Sequence, residues 1–193
     1  MHDRIKRQVR FASAQFRADD AEATKRISGY FVVFNDQYEL APGITESVDP
    51  HALDSALGDD IRALIDHETR LVLGRTLAGT LRLRADGKGL WGEIDINPDD
   101  TDATNLYARV KRGDVNQCSF GFDILDEDRS VNANTGEVHY TIKAVKLYEV
   151  SVCTFPAYKA TSVEARAEME RQNKRREFEA WREKQRRRLN HGT

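Results

Sequence analysis

The sequence predicts a mainly β fold with helices: an antiparallel barrel of about seven strands surrounded by helices, followed by a charged helical tail. Three observations carry this prediction. Short runs rich in β-branched and aromatic residues recur between residues 26 and 155. Turn residues separate the runs, and only two segments between them have helical spacing. The β pattern stops at Pro156, so we expect one folded domain over 1–160 and a charged helical or disordered tail over 161–193.

The strand predictions rest on alternation and on turn chemistry. The clearest strand, 26–34, combines isoleucine, valine and three aromatic residues, and Asn35-Asp36 ends it. The Asp-Gly-Lys-Gly segment at 86–89 predicts a hairpin between the strands on either side. The remaining predicted strands are 5–17, 44–48, 61–67, 71–74, 76–84, 90–96, 118–124 and 137–155.

Two helices and one bulge complete the prediction. Asp49-Pro50 is typical of a helix start, and Gly58 of its end. A second helix is expected to begin after Asp100 or Thr101 and to end at Gly113. Within 137–155 the apolar alternation changes parity, which predicts a β-bulge near 143–144 or a break into two strands.

Composition narrows the class of protein. The chain has 193 residues, 30 Lys and Arg, 32 Asp and Glu, and a formal net charge of −2. Residues 164–193 carry +4, which leaves −6 on the rest, and this argues against a nucleic-acid-binding core. No run has the length of a membrane span, and the amino terminus lacks the apolar segment of a signal peptide. We therefore expect a cytoplasmic protein with two reduced cysteines and no membrane partner.

The strand around Ser119 carries the first candidate for chemistry. Cys118, Phe120 and Phe122 share one face of this strand, so Ser119 and Gly121 share the other. Gly121 has no side chain and leaves space beside the hydroxyl, where another backbone could approach. A buried strand with small residues at a packing contact would give the same pattern.

A serine nucleophile needs a base, and His67 is the best placed of five histidines because it closes an apolar strand where a loop begins. Glu149 lies within an apolar run, where an unpartnered carboxylate is costly, so it is a candidate to orient the imidazole. An ion pair with an arginine is the alternative for Glu149. Asp66 is less suitable, because adjacent strand residues point to opposite faces.

Other chemistries lack their motifs. His67-Glu68 has no second histidine one helical turn away, there is no Cys-x-x-Cys pair, and no glycine-rich phosphate loop occurs. The Gly-x-Ser-x-Gly nucleophile elbow is also missing, which argues against an α/β-hydrolase. We expect no metal and no cofactor.

Four segments in order resemble the prohead (capsid maturation) proteases of tailed phages. They are Gly-Tyr-Phe-Val-Val-Phe-Asn, Leu-Ile-Asp-His-Glu with Leu-Gly-Arg after it, Gln-Cys-Ser-Phe-Gly-Phe, and Leu-Tyr-Glu-Val-Ser-Val-Cys-Thr-Phe-Pro-Ala, within 29–160. That family is similar to the herpesvirus assemblin proteases, which have a seven-stranded barrel surrounded by helices. The resemblance implies Ser119 as nucleophile, His67 as base and Glu149 as third member. Phage members commonly have Asn after the histidine, where this chain has Glu68.

The resemblance also implies the reaction and the partners. It implies a serine endopeptidase inside the phage prohead, in the host cytoplasm, that cleaves the scaffolding segment of the major capsid protein and itself. For contacts with substrate or oxyanion we expect Arg75, Gly121 and Ser151. The sequence leaves self-association into a homo-oligomer open. Two alternatives remain: an inactive internal scaffolding protein of the prohead, and nucleic-acid binding by the tail, which its interleaved acids disfavour.

Overall fold

The fold is seen in a computed structural model that describes residues 8–13, 16–19, 25–155 and 182. The described residues form eleven strands, one α-helix and two short 3-10 turns. The strands are β1 (Gln8–Ser13), β2 (Arg17–Asp19), β3 (Arg26–Val33), β4 (Tyr38–Ala41), β5 (Ile44–Val48), β6 (Arg62–Ile65), β7 (Glu68–Arg75), β8 (Leu81–Ala85), β9 (Gly89–Asp95), β10 (Gln117–Val131) and β11 (Val138–Cys153). The helix α1 is Thr101–Arg112, and the 3-10 turns are Ala56–Gly58 and Thr76–Ala78.

The strands form two sheets. The seven-stranded sheet follows the order β1-β10-β11-β5-β4, with β6 paired to β11 and β7 paired to β6. The four-stranded sheet follows the order β2-β3-β9-β8. Most pairs are antiparallel, but β5 and β6 both run parallel to β11, at opposite ends of that long strand. The antiparallel pair of β10 and β11 therefore forms the centre on which the other strands of the larger sheet assemble.

The predicted barrel surrounded by helices is wrong. Among the described strands, β1 and β4 end the main path of the larger sheet and do not pair with each other, so the sheet does not close. The expected helix after Asp49 is a series of turns with one 3-10 turn, Ala56–Gly58. An isolated helix of this length is marginal, and this segment instead packs Ala52, Leu53 and Ala56 into the core. The single α-helix of the described residues cannot surround the sheets.

Most individual elements follow the predicted pattern. The strand predicted at 44–48 is β5, the clearest predicted strand is β3, and the hairpin across 86–89 joins β8 to β9. The predicted bulge is confirmed: Asp126 faces Ala144 while Glu127 faces Ile142, so Lys143 is the extra residue on β11. The strand predicted to reach His67 ends earlier, at Ile65, because the chain turns back through Asp66 and His67.

The helix α1 ends as its capping residues predict. The Asp100 carboxylate accepts hydrogen bonds from the N–H groups of Asp102 and Ala103, and Gly113 adopts a left-handed conformation with φ 87° after the last turn. The buried face of α1 belongs to one core that both sheets share; it consists of Ala103, Leu106, Tyr107 and Val110.

No helix within the described ranges is long and apolar enough to cross a membrane. The tail predicted over 161–193 lies outside the described residues except for Arg182, so its helical or disordered character stays a prediction.

Candidate active site

The central strand pair places four residues of interest on one face of the larger sheet. Ser119 and Gly121 on β10 lie directly opposite Ser151 and Glu149 on β11. Facing residues of an antiparallel pair project to the same side, with Cβ atoms about 4.5–5.5 Å apart. Their strand neighbours, including Phe120 on β10 and Val150 on β11, project into the core. The alternation predicted for the Ser119 strand therefore collects the polar groups on one face.

His67 reaches this face from the adjacent hairpin. Ile65 and Glu68 pair across the end of β6 and β7, so Asp66 and His67 are the two central residues of the turn. Both have positive φ, 46° for Asp66 and 62° for His67. Two-residue hairpin turns of this kind favour asparagine, aspartate and glycine, and a histidine there is strained. Since β6 runs parallel to β11, the turn brings the His67 imidazole over the carboxyl-terminal end of β11.

Two bonds from Asp66 hold the turn in place. Its carboxylate accepts the Thr154 N–H at 2.7 Å and the Thr154 hydroxyl at 3.1 Å. These two hydrogen bonds fix the main chain just beyond β11 against the turn that contains His67. Sequence reasoning considered Asp66 only as a partner for the imidazole and missed this role. The signal that was available is an aspartate at the first central position of a short hairpin turn, where its side chain commonly bonds nearby backbone.

His67 and Glu149 form a hydrogen-bonded pair. The Nδ1 atom of His67 lies 2.7 Å from Oε1 of Glu149. The Glu149 side chain is 4% exposed, whereas that of His67 is 25% exposed, so the imidazole lies between the buried carboxylate and solvent. A carboxylate only accepts hydrogen bonds, so Nδ1 carries a proton, and in the neutral form of the ring the lone pair is then on Nε2. This is the arrangement in which a carboxylate orients a histidine base.

Ser151 links the same two residues. Its hydroxyl donates to Oε2 of Glu149 at 2.6 Å and accepts the main-chain N–H of His67 at 3.3 Å. The residue is fully buried. Both carboxylate oxygens of Glu149 thus have donors, one from the imidazole and one from Ser151. This satisfies a charge that would otherwise be costly at this depth.

The Ser119 hydroxyl points in another direction. It donates to the main-chain carbonyl of Arg10 at 2.8 Å, across the pairing of β1 with β10. Ser119 is fully buried. The residue therefore lies one strand away from the His67–Glu149 pair, directly opposite Ser151, with its hydroxyl directed at the neighbouring β1.

Cys153 lies on the other side of the imidazole. Its Sγ is 3.9 Å from Nε2 of His67. Burial raises the pKa of the Cys153 thiol well above its ordinary value, so the thiol is neutral at physiological pH. Sequence reasoning treated this cysteine as a small hydrophobe. Its position follows from β-strand alternation with Glu149 and Ser151, a signal that the sequence does contain.

The remaining predicted residues have other partners. The Arg75 guanidinium bonds both carboxylate oxygens of Asp60, at 2.7 and 2.6 Å, and this contact raises the pKa of Arg75. Glu68 is exposed at the start of β7, 3.7 Å from Arg70. Gly121 faces Glu149, so the space beside it is filled by a side chain of this chain. The described residues contain no cluster of three or more His, Cys, Asp or Glu that could hold a metal ion.

The sequence and the fold are both similar to those of known phage proteins. A family model described as caudovirus prohead serine protease matches residues 12–175. The prohead protease of Enterobacteria phage HK97 is 29% identical over 157 residues, covering 79% of this chain and 65% of that protein, so the chain spans less than two thirds of this relative. A structure of the bacteriophage T4 capsid assembly protease shares the fold, with a TM-score of 0.50 and 11% identity over 78% of this chain and 99% of that one. The family expected from the sequence is confirmed: the chain belongs to the caudovirus prohead serine proteases.

Proposed function

We propose that this chain is a serine endopeptidase of prohead maturation, with Ser119 as nucleophile, His67 as general base and Glu149 as the residue that orients the base. The observation that carries the proposal is the 2.7 Å bond between His67 and Glu149, on the sheet face that also presents Ser119. Membership in the prohead protease family supports the same reaction class. The substrates proposed are the scaffolding segment of the major capsid protein and the protease itself, inside the prohead in the host cytoplasm.

The proposed reaction is acyl transfer followed by hydrolysis. The Ser119 oxygen attacks the carbonyl carbon of a peptide bond while Nε2 of His67 takes the hydroxyl proton. The C–N bond then breaks, and the imidazolium returns the proton to the leaving amine. A water molecule activated by Nε2 releases the acyl group from Ser119. Glu149 stabilises the imidazolium in both halves through the Nδ1 hydrogen bond.

The reaction requires the Ser119 hydroxyl to exchange its present acceptor. The hydroxyl now donates to the Arg10 carbonyl, and in the reaction it donates to the imidazole. Ser151 lies between them: it is the cross-strand partner of Ser119, and it contacts the His67 main chain. The exchange thus requires a new Ser119 rotamer and a closer approach of the hydroxyl to Nε2 of His67, which lies 3.9 Å from Sγ of Cys153 in the described arrangement.

The oxyanion needs preorganised donors near Ser119. The roles predicted for Arg75, Gly121 and Ser151 in binding substrate or oxyanion stay predictions. In the described arrangement Arg75 is bonded to Asp60, and the Ser151 hydroxyl is bonded to Glu149.

One observation favours a second candidate function, an inactive internal protein of the prohead. Ser119 is fully buried and its hydroxyl is already bonded to a main-chain carbonyl. A chain that never releases this bond would assemble with the prohead without cleaving it.

Co-expression with the capsid precursor of the same phage separates the two functions. Wild-type chain is compared with Ser119→Ala and with Ser28→Ala, a matched control that removes another buried serine hydroxyl, on β3. Fragments of the precursor are identified by mass spectrometry. We expect Ser119→Ala to lose processing by on the order of 10⁴- to 10⁶-fold, as loss of a triad member does, while Ser28→Ala retains it. Processing by Ser119→Ala at the wild-type rate, or no processing by any form, would contradict the proposal.

A further inference from the structure

A buried ion pair on the Phe122 face of β10 involves the residue whose main-chain carbonyl accepts the Ser119 hydroxyl, and the pair has no role in the mechanism above. The Arg10 guanidinium on β1 forms a two-point contact with the Glu46 carboxylate on β5, Nε with Oε1 and Nη2 with Oε2, the latter at 2.9 Å. The side chains are 4% and 1% exposed. The remaining guanidinium nitrogen, Nη1, donates to the Val9 carbonyl at 3.1 Å and to the Gln8 side chain at 3.2 Å. This is a built site for a guanidinium group.

Holding β1 against the sheet does not by itself require such a pair. Moving two charges out of water offsets much of their attraction, and well-packed apolar side chains hold two elements together at least as well. An acidic group buried to this degree is better explained if it recognises a cation. The planar fork of a guanidinium matches a carboxylate at two points, which gives selectivity as well as attraction.

The walls of this site contain a second polar group and an aromatic ring. Tyr38 is the direct cross-strand partner of Glu46 between β4 and β5. Its hydroxyl is the one buried side-chain polar atom of the described residues without a hydrogen-bond partner, and burial raises its pKa, so it is a neutral hydroxyl. The Phe122 ring centroid lies 5.8 Å from the Arg10 guanidinium carbon, within range of a cation–π interaction. The Tyr38 hydroxyl, on the strand position opposite Glu46, is therefore available to accept a further donor from a bound cation.

Arg10 also connects this site to Ser119. Its main-chain carbonyl accepts the Ser119 hydroxyl at 2.8 Å. The strand that carries it, β1, lies at the edge of the larger sheet, antiparallel to β10. An extended peptide binds a sheet edge in this manner, with main-chain bonds for affinity and side-chain sites for specificity. The main-chain carbonyl of Arg10 thus contacts the Ser119 hydroxyl, while its guanidinium contacts the Glu46 carboxylate.

We propose that Glu46, with Tyr38 and Phe122, is the specificity site of the protease, and that it selects substrates with arginine or lysine at the residue whose carbonyl meets Ser119. This inference rests on the proposed function and on β1 occupying the position of a substrate strand. The acyl group transferred to Ser119 is then that of the basic residue, and the released amine belongs to the residue after it. Arginine takes the two-point contact with Glu46. Lysine directs one ammonium donor to Glu46 and another to the Tyr38 hydroxyl.

The test uses the intact chain and a peptide with one cation. Residues 8–16, Gln-Val-Arg-Phe-Ala-Ser-Ala-Gln-Phe, contain a single arginine and no other charged side chain. Capped fluorogenic peptides of this sequence carry arginine, lysine, citrulline or norleucine at that position. β1 occupies the edge of β10 and therefore competes with every peptide alike. We therefore compare kcat/KM values between peptides on the same enzyme, since this competition cancels in the ratio. We expect arginine and lysine peptides to be cleaved after that residue at least on the order of 10²-fold faster than the two uncharged ones.

The variants separate recognition from stability. Glu46→Gln should lower kcat/KM for the arginine peptide on the order of 10²-fold while leaving the norleucine peptide within a few-fold of wild type. Tyr38→Phe should lower kcat/KM for the lysine peptide more than for the arginine peptide. This variant replaces Glu46→Gln as the test if Glu46→Gln fails to fold. Equal cleavage of arginine and norleucine peptides, or equal losses for both in Glu46→Gln, would overturn the inference, since a purely structural ion pair affects all substrates alike.

Cleaved capsid precursor distinguishes failure of this inference from failure of the proposed function. If no peptide is cleaved, the new carboxyl termini of the precursor fragments are read by mass spectrometry. Arginine or lysine at those termini supports the inference. Other residues there, with processing still dependent on Ser119, overturn the specificity site and leave the protease intact. Absence of Ser119-dependent processing overturns both.

Discussion

The carboxylate of Glu149 occupies the space that a side chain at Gly121 would need. The two residues face each other across β10 and β11, and a Cβ built on Gly121 would lie 2.2 Å from Oε1 of Glu149. The atom concerned is the one that bonds Nδ1 of His67. The missing side chain at 121 therefore sets the position of the carboxylate and, through it, of the imidazole.

Gly121→Ala should impair activity far more than it impairs folding. The added methyl group has to displace the Glu149 carboxylate, and a displacement of about 1 Å in a catalytic group can lower the rate roughly 10²-fold. Gly58→Ala is the matched control, since a Cβ there meets nothing within 4 Å. The measurements are precursor processing and thermal unfolding of both variants. Full activity in Gly121→Ala would show that the position of Glu149 does not limit the reaction.

Glu149→Gln should lower the rate clearly, roughly 10²- to 10⁴-fold, yet less than His67→Ala. The amide can still hold the ring, but it cannot stabilise the imidazolium as a carboxylate does. Asp66→Asn is the control, because its amide oxygen can still accept from Thr154 and asparagine tolerates the left-handed backbone of the turn. Precursor processing rates of the three variants test this. A fully active Glu149→Gln beside an inactive Asp66→Asn would reverse the two roles.

Cys153→Ala should retain most of the activity. The Cys153 thiol is 3.9 Å from Nε2 of His67, which makes it a rival nucleophile by position. Burial raises the pKa of this thiol, so the thiolate that attacks carbonyls is scarcely formed. Processing by Cys153→Ala, compared with Ser119→Ala under the same conditions, checks the assignment. An inactive but folded Cys153→Ala would favour a cysteine nucleophile.

The smaller sheet should lose stability in acid through Asp95. The Arg82 guanidinium, followed by Arg26, lowers the pKa of Asp95 to about 2 from its ordinary 3.8. A carboxyl group whose pKa is lower in the folded protein than in the unfolded protein stabilises the fold at pH values above its unfolded pKa. This stabilisation is lost as the pH falls from about 4 to 2. Because Arg82 is 42% exposed, solvent screening leaves roughly 1 kcal/mol for this contact.

Urea unfolding of Arg82→Gln at pH 7 and at pH 2 measures this contribution. The variant should be less stable than wild type at pH 7, and the difference should shrink towards pH 2. Arg84→Gln is the control on the same strand, with a more exposed arginine 3.6 Å from Asp86. A difference between wild type and Arg82→Gln that does not change with pH would contradict the role of Asp95.

Local sequence patterns predicted most of the strands, because alternation and turn chemistry act over a few residues, but they missed the short strands β2 and β4. The parity change near Lys143 located the bulge on β11, and Asp100 with Gly113 located the ends of α1. Closure of the sheet could not be predicted in this way. It depends on whether β1 and β4 meet, and these strands are distant in sequence and carry no local signal of their pairing.

The candidate site was predictable in its residues but not in its connections. A histidine at the end of an apolar run and a glutamate within one are both visible in the sequence. The two-residue turn at Asp66 and His67 was not, because its left-handed backbone favours glycine or asparagine at the position that His67 occupies. The bond between Ser119 and the Arg10 carbonyl was also hidden, since it depends on β1 pairing with a strand more than a hundred residues away.

The most direct test of Ser119 as the nucleophile is to identify the residue that reacts with a fluorophosphonate. The intact chain is labelled with and without capsid precursor, digested, and the modified residue is identified by mass spectrometry, with His67→Ala as the matched control. We expect an adduct on Ser119 that increases when precursor is present and that is lost in His67→Ala, because the hydroxyl must leave the Arg10 carbonyl and meet the imidazole. An adduct on Ser151, or no adduct on Ser119 in chain that is processing precursor, would contradict it.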